Sequence, residues 1–361
     1  MYLPALALVF VISITAGLFL TPLAGRVGKR FGIVDHPRQG ELGVKVVART
    51  GGYAMVLVFF LGLAVSWPLL PRFPDEYPKL VGLALGVVAI VVLAIVDDLK
   101  RLDPKVQFIG QIIVALISLY FGVAIDNIAS PFGGITSVPG FLVGPLTVIW
   151  MVGMMNTFNF IDTMDGLAAG IGAIASVVLF FISFQLGQYS IAVLPLTLAG
   201  ATIAFLFFNF NPARIFMGTS GSMFIGYGLA VLGIIGGAKL ATTTMVVGVA
   251  IVDVAMVIIF RLSQGRSPFK GGDSAHLPHR LLKLGLSQRE VAGLIYALCL
   301  AFGLLALVFT GAGKLIGFAA LGLAMLVIMW VVSLRSRPVG GNDARGGQDH
   351  LAADGSRPED S

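Results

Sequence analysis

The sequence predicts an all-α polytopic integral membrane protein of about 11 transmembrane helices, N-terminus outside and C-terminus cytoplasmic. Three observations carry that prediction. Hydrophobic residues are 57% of the 361 and charged residues only 12%, about half the charged share of soluble domains. Apolar runs of spanning length recur from end to end, and the mean hydropathy is +0.95. Basic residues crowd into every second inter-run segment, which orients such a chain.

The first run, about 3–24, lacks the basic leader of a signal peptide, and Arg26, Lys29 and Arg30 follow it. It is a first span whose N-terminus faces outward. The next runs lie at about 52–70, 78–96 and 105–125, and the fifth, 141–160, opens on Phe141. Further spans follow at about 166–186, 189–209, 222–238, 242–260, 289–311 and 314–334. Residues 1–335 thus form one membrane-embedded domain. From Ser336 the chain is rich in Gly, Asp, Arg, Ser and Pro without apolar periodicity, so 336–361 is expected to be a disordered cytoplasmic tail.

Alternation of these spans leaves Arg72, Lys79, Lys239 and Lys314 on one side and the other 20 of the 24 basic residues opposite, making the second side cytoplasmic. The net charge of +6 therefore marks topology and contact with anionic membrane lipids, not nucleic acid binding. The single cysteine, Cys299, lies in an apolar run and excludes an internal disulfide.

Four polar clusters fall on the cytoplasmic side. Asp97-Asp98 closes the third span, where the helix dipole opposes an acidic pair, and Lys100, Arg101 and Lys105 follow. Asn156, Asn159, Asp162 and Asp165 follow the fifth run at three-residue steps; a helix continued through them would wrap the four over about half its circumference. Ionisable groups at a span's edge default to function. The third cluster, Asn209 to Ser222, has the Pro, Gly and Ser density of a tight turn whose N–H groups can hold an anion. The fourth, Gly271 to Arg280, offers His276 and His279 to a metal or phosphate, a weak signal alone. Asp253, deep in the ninth run, is expected to face the bundle. Acids suit Mg²⁺, with Mn²⁺ as an alternative, and basic groups suit a diphosphate.

These clusters, in this order and spacing, resemble the polyprenyl-phosphate N-acetylhexosamine-1-phosphate transferases from Val34-Asp35 to the last span. The motifs are Asp97-Asp98 with Lys105, Asn156-x-x-Asn159-Phe-Ile-Asp162-x-x-Asp165-Gly-Leu-Ala, Asn209-x-x-Pro-Ala-x-x-Phe-Met-Gly, Asp253 before Arg261, and His276-x-x-His279-Arg280-Leu-Leu. Pro278 between the histidines sets the chain apart from the MurNAc-pentapeptide branch and towards the UDP-GlcNAc branch. Two further departures are Thr219, where the family's Met-Gly-Asp-x-Gly-Ser carries a magnesium-ligating acid, and Glu41, Gly43, Val46 and Ala48 in place of a basic–His–Pro pattern.

The resemblance implies a phosphoglycosyl transferase of the plasma membrane with a cytoplasmic site. It would move a sugar 1-phosphate, N-acetylglucosamine 1-phosphate first among them, from a UDP-sugar to undecaprenyl phosphate. UMP leaves, and the product is a lipid-linked diphosphosugar for cell-envelope polysaccharide. Asp97, Asp98, Asp162 and Asp165 would be catalytic; Asn159, Asp98 and the Thr219 position would hold Mg²⁺. Lys105, Asn156, Asn209, His276, His279 and Arg280 would bind substrate, and the enzyme would act as a homodimer. Two alternatives stand: a transporter or flippase, which would place polar groups at mid-membrane and show repeats, and a catalytically weak relative that binds lipid phosphate or nucleotide.

Overall fold

The protein, seen here as a computed structural model, is described over residues 2–35, 46–130, 134–236, 239–265, 276–309 and 311–335. The predicted tail and Gly271-Gly272-Asp273 lie outside these residues.

Every predicted run coincides with one long helix. These are α1 (Leu3–Arg30), α2 (Gly51–Ser66), α3 (Glu76–Lys100), α4 (Pro104–Tyr120), α5 (Gly140–Ile161), α6 (Leu167–Gln185), α7 (Tyr189–Asn209), α8 (Gly218–Ile234), α9 (Leu240–Ser263), α11 (Gln288–Val308) and α12 (Ala312–Arg335). A short α10 (Leu277–Lys283) was not expected, being too brief to show a period. Among the described residues 7 helices are long and apolar enough to cross a membrane. Large apolar side chains such as Phe19, Ile149 and Phe207 lie on the outside of the bundle, where lipid would be. Two small antiparallel ladders complete the fold: β1 (Val34–Asp35) with β2 (Val47–Ala48), and β3 (Asn127–Ala129) with β4 (Ile135–Ser137).

Helix α8 is the axis, packed against α2, α3, α5, α6, α7 and α9 and buried from Gly218 to Gly233. Lipid gives apolar helices no hydrophobic reason to associate, so close backbone approach at small residues does the work. A Cβ on Gly226 would stand 2.5 Å from the Met154 carbonyl oxygen of α5, and one on Gly52 of α2 would stand 2.2 Å from the Gly221 nitrogen. Gly226 and Gly52 thus hold α5 and α2 against the α8 backbone.

Helix α5 stops at Ile161 with Asp162 as its cap, as the expected end near 160 has it, so Asn156 and Asn159 lie on the helix while Asp162 and Asp165 sit on the turn that follows. One expectation needs correction. Helix α8 begins at Gly218, earlier than the expected start near 222, so Thr219 lies on its first turn and not in a preceding loop.

Candidate functional site

One end of the bundle is stitched together by backbone. Phe216 N–H donates to the Ala48 carbonyl at 2.8 Å; Gly51 N–H and Gly52 N–H donate to the Phe216 and Met217 carbonyls at 3.0 and 2.9 Å. Gly218 must lack a side chain here: its φ is +67°, and a Cβ would lie 2.4 Å from the Arg49 oxygen. Asn209, buried at the end of α7, joins two further turns, accepting from Gly166 N–H at 3.1 Å and donating to the Ile215 carbonyl at 3.0 Å. The segments at 48–52, 162–166 and 209–218 therefore form one rigid floor.

Asp97 and Asp98 close α3 and diverge. Arg101 ends the helix at φ +48°, which turns the chain back so that Leu102 N–H reaches Asp97 Oδ1 at 3.0 Å. Gln107 Nε2 donates to the same oxygen at 2.7 Å, and Thr219 Oγ1 donates to Oδ2 at 2.9 Å. Asp98 points instead to α2, where Tyr53 Oη donates to it at 2.6 Å. One turn along α8 from Thr219, Ser222 Oγ donates to Asn159 Oδ1 at 3.1 Å. Residues at this spacing share a helix face, about 5–6 Å apart at Cβ. Helix α8 thus brings the Asp97 carboxylate and the Asn159 carboxamide to one place.

Beside them lies a polar cavity of about 210 Å³ lined by Asp35, Arg49, Asp162, Thr163, Met164, Asp165, Asn209, Phe216 and Gly218. Among the described residues no donor hydrogen-bonds the Asp162 carboxyl. Desolvation pushes its pKa up to about 7; Asp165 and Asp35 add to the rise and Arg49 opposes it. Asp165 accepts from Asn211 Nδ2 at 3.0 Å and Ala213 N–H at 2.9 Å. Two donors of the tight turn expected to hold an anion are thus taken by the protein's own Asp165.

A second cavity, about 580 Å³, is apolar and opens between α4, α5 and α9; Phe108, Ile112, Val152, Phe160, Val254 and Ile258 are among its walls. Its polar rim is Asn156 with Thr157. Asn156 bonds to Gln111 of α4 through its amide and to the Val152 carbonyl at 2.8 Å. Asn156 is thus shared between helix contact and cavity wall.

The histidine cluster is tied to α9. Asp253, buried, meets His276 Nδ1 at 2.8 Å and accepts from Leu277 N–H at 2.7 Å. His279, half-buried, is held below the usual imidazole range by desolvation, with His276 and Lys283 adding to it. Neither histidine lines the polar cavity. Lys105 is exposed at the start of α4, and Arg280 is partly buried on α10.

Several groups here escape a sequence reading. Arg49 counts there only as one more loop cation; Tyr53, Gln107 and Gln111 carry no motif signal of their own. The nearest clue is Arg49's position just before Thr50-Gly51-Gly52.

Among the described residues no three His, Cys, Asp or Glu side chains group to cage a metal. Mg²⁺ does not require that: it is commonly held by one or two carboxylates together with substrate phosphates. Asp98, expected among the metal's holders, turns away to Tyr53; Asp97 instead joins Asn159 in supplying hard oxygens at one place, and Thr219 adds a neutral one, so the donor chemistry fits.

Residues 80–237 match the model of glycosyl transferase family 4. A Bacillus subtilis protein named probable undecaprenyl-phosphate N-acetylglucosaminyl 1-phosphate transferase is 33% identical over 84% of this chain and 84% of its own length. The decaprenyl-phosphate N-acetylglucosaminephosphotransferase of Mycolicibacterium smegmatis is 32% identical over 92% of this chain and 89% of its own. The phospho-N-acetylmuramoyl-pentapeptide-transferase of Geobacillus kaustophilus is 26% identical over 83% and 95%.

Proposed function

The chain belongs to glycosyl transferase family 4, and from that premise we propose that it transfers N-acetylglucosamine 1-phosphate from UDP-N-acetylglucosamine to undecaprenyl phosphate. One observation carries the reading: a large apolar cavity is lined by α5, and an acid-lined polar cavity is lined by the turn that directly follows it, with Asn159 and Asp97 at that end. The apolar cavity suits a polyprenyl chain. At about 210 Å³ the polar one falls below the usual size for a whole nucleotide-sugar, so it takes part of the donor and leaves the diphosphate at its mouth.

In the reaction an oxygen of the lipid phosphate bonds to the donor's β-phosphorus. The bond from that phosphorus to the bridging oxygen breaks, and UMP leaves with the bridging oxygen. Asp97, held by three donors, would take any proton on the attacking phosphate. Asn159 and Asp97 would hold Mg²⁺ or Mn²⁺, which when bound offsets charge on the diphosphate. Asp98 is oriented by Tyr53, and Asp162 and Asp165 shape the donor cavity. Arg280 and Lys105 would offset phosphate charge, and His276 and His279 would bind substrate as hydrogen-bonding groups.

A transporter is not favoured, because the relatives are named as transferases. Eleven spans, a cytoplasmic site and a homodimer complete the proposal. UMP release by purified protein given undecaprenyl phosphate and a panel of UDP-sugars tests the activity; no release with any donor would reject it. Cysteines at Gln264 and Ser137, in a Cys299→Ala background, test the sidedness. They should label from opposite faces of sealed vesicles, with Gln264 on the cytoplasmic one. Mass measurement of the detergent-solubilised protein tests the dimer.

A further inference from the structure

The polar cavity presents a problem for an anionic substrate. Asp35, Asp162 and Asp165 line it, and among the described residues the one cation in its wall is Arg49. Arg49 is fixed at the backbone from both sides. Its N–H donates to the Ile33 carbonyl at 3.1 Å, the neighbouring Ala48 carbonyl accepts from Phe216, and its own oxygen sits against Gly218. The side chain is held less firmly. One nitrogen, Nη1, meets Asp35 Oδ1 at 3.3 Å, with the two side chains 38% and 49% exposed. Asp35 is delivered there by the β1–β2 ladder, in which it faces Val47.

An exposed, single-contact ion pair is weak. A diphosphate offers a guanidinium two charged acceptor groups and a bidentate fit, which is stronger than one carboxylate oxygen at 3.3 Å. We propose that Arg49 is the residue that binds the diphosphate of a nucleoside diphosphate donor, and that Asp35 holds the guanidinium in its absence and competes with the donor for it. The inference rests on the functional reading for the identity of the donor. It goes further in giving two residues opposed effects on one ligand. Arg49 draws the diphosphate in, and Asp35 sets how much must be displaced to admit it.

Calorimetric titration of the purified full-length protein with UDP, and separately with uridine, tests this. Asp35→Asn keeps the shape and removes the competing charge, so UDP should bind about threefold tighter. Arg49→Gln should weaken UDP about tenfold or more, with Arg49→Lys between the two. Uridine, having no phosphate, should respond to none of these changes. Unchanged or weaker UDP binding in Asp35→Asn overturns the proposal. So does an Arg49→Gln variant that loses uridine as fully as UDP, since that marks a structural role. If Arg49→Gln does not fold, the sign of the Asp35→Asn effect decides alone. Wild-type protein that binds UDP with these signs but releases no UMP would reject the transferase reading and leave this one standing. Wild-type turnover without the Asp35→Asn gain would do the reverse.

Discussion

Both ends of this bundle bury charge, but they use it differently. At the end away from the site, Arg72 donates to the Ser190 carbonyl at 2.7 Å and to Ser66 Oγ at 2.9 Å, and lies over the Trp67 ring at 5.2 Å. Glu76 accepts from Ser190 Oγ at 2.6 Å, and Lys239, 2% exposed, donates to Ser183 and Gln188 at 2.7 Å each. These groups tie the α2–α3 and α6–α7 connections to α8–α9. At the site end Asp162 faces a cavity without a donor among the described residues, and Arg49 holds only a weak partner. Burial of charge does not itself mark a site. A charge kept underpartnered beside open space does.

The largest expected effect that could break this comparison is on turnover. Asp97→Asn should lower UMP release about a hundredfold or more. Folding should survive: the new amide can accept from Leu102 and Gln107 through its oxygen and donate to Thr219, whose hydroxyl can turn to accept. Glu76→Gln, the matched change at the other end, should leave turnover within about twofold and lower the melting temperature. The opposite pattern would invert the roles of the two ends.

Next in size is the pH response of the sealed end. Burial pulls the Lys239 pKa from 10.5 down to about 8. Between those values the unfolded chain binds the extra proton, so stability should rise with pH, by about 3 kcal/mol in full. Lys239→Met should flatten that rise without changing turnover at neutral pH. A rise that persists in the variant would assign it elsewhere.

Asp162 should show the opposite slope. Its pKa is raised from 3.8 to about 7, so its favourable contribution is full below pH 4 and is lost as pH climbs through 7. Solvent screening at a half-buried side chain holds the effect to about 1 kcal/mol. Asp162→Asn should therefore melt higher than wild type at pH 8 and no higher at pH 4, while losing donor binding. A variant less stable at pH 8 would make Asp162 a structural group like those at the far end.

The two ends also differ in how far the sequence discloses them. The order of the long helices follows from apolar run length, which lipid imposes directly, and the acidic clusters stand out because such residues are costly there. The start of α8 within a polar stretch was hidden: Thr219 reads as loop until its packing in α8 is known. Arg49 was illegible for a stronger reason. Its place depends on backbone bonds from residues 48–52 to 216–217, a pairing that no local pattern encodes. The His276 bond to Asp253 is similar: each residue was visible, their union across a loop was not.

The smallest effect concerns Thr219, where the sequence departs from its family and the structure gives that departure a consequence. The hydroxyl donates to Asp97 at 2.9 Å, so in this chain an uncharged donor satisfies an oxygen that an acid at 219 would repel. Thr219→Asp would set two carboxylates against each other, a placement that costs stability unless a cation sits between them. The variant should therefore melt lower than wild type in chelator and recover on adding Mg²⁺, whereas wild type without substrate should respond little to Mg²⁺. In the turnover assay, with lipid phosphate saturating, the added carboxylate should lower the Mg²⁺ concentration for half-maximal UMP release by about threefold. Asp97 must then share its oxygen with the ion instead of with Thr219, so maximal turnover need not rise. Two results together would remove Thr219 from the metal's surroundings: a Mg²⁺ curve that does not move, and a variant melting temperature indifferent to chelator. That outcome would leave the Thr219 hydroxyl as a support for Asp97 alone, of the same kind as the serines that hold Glu76 and Lys239 at the sealed end.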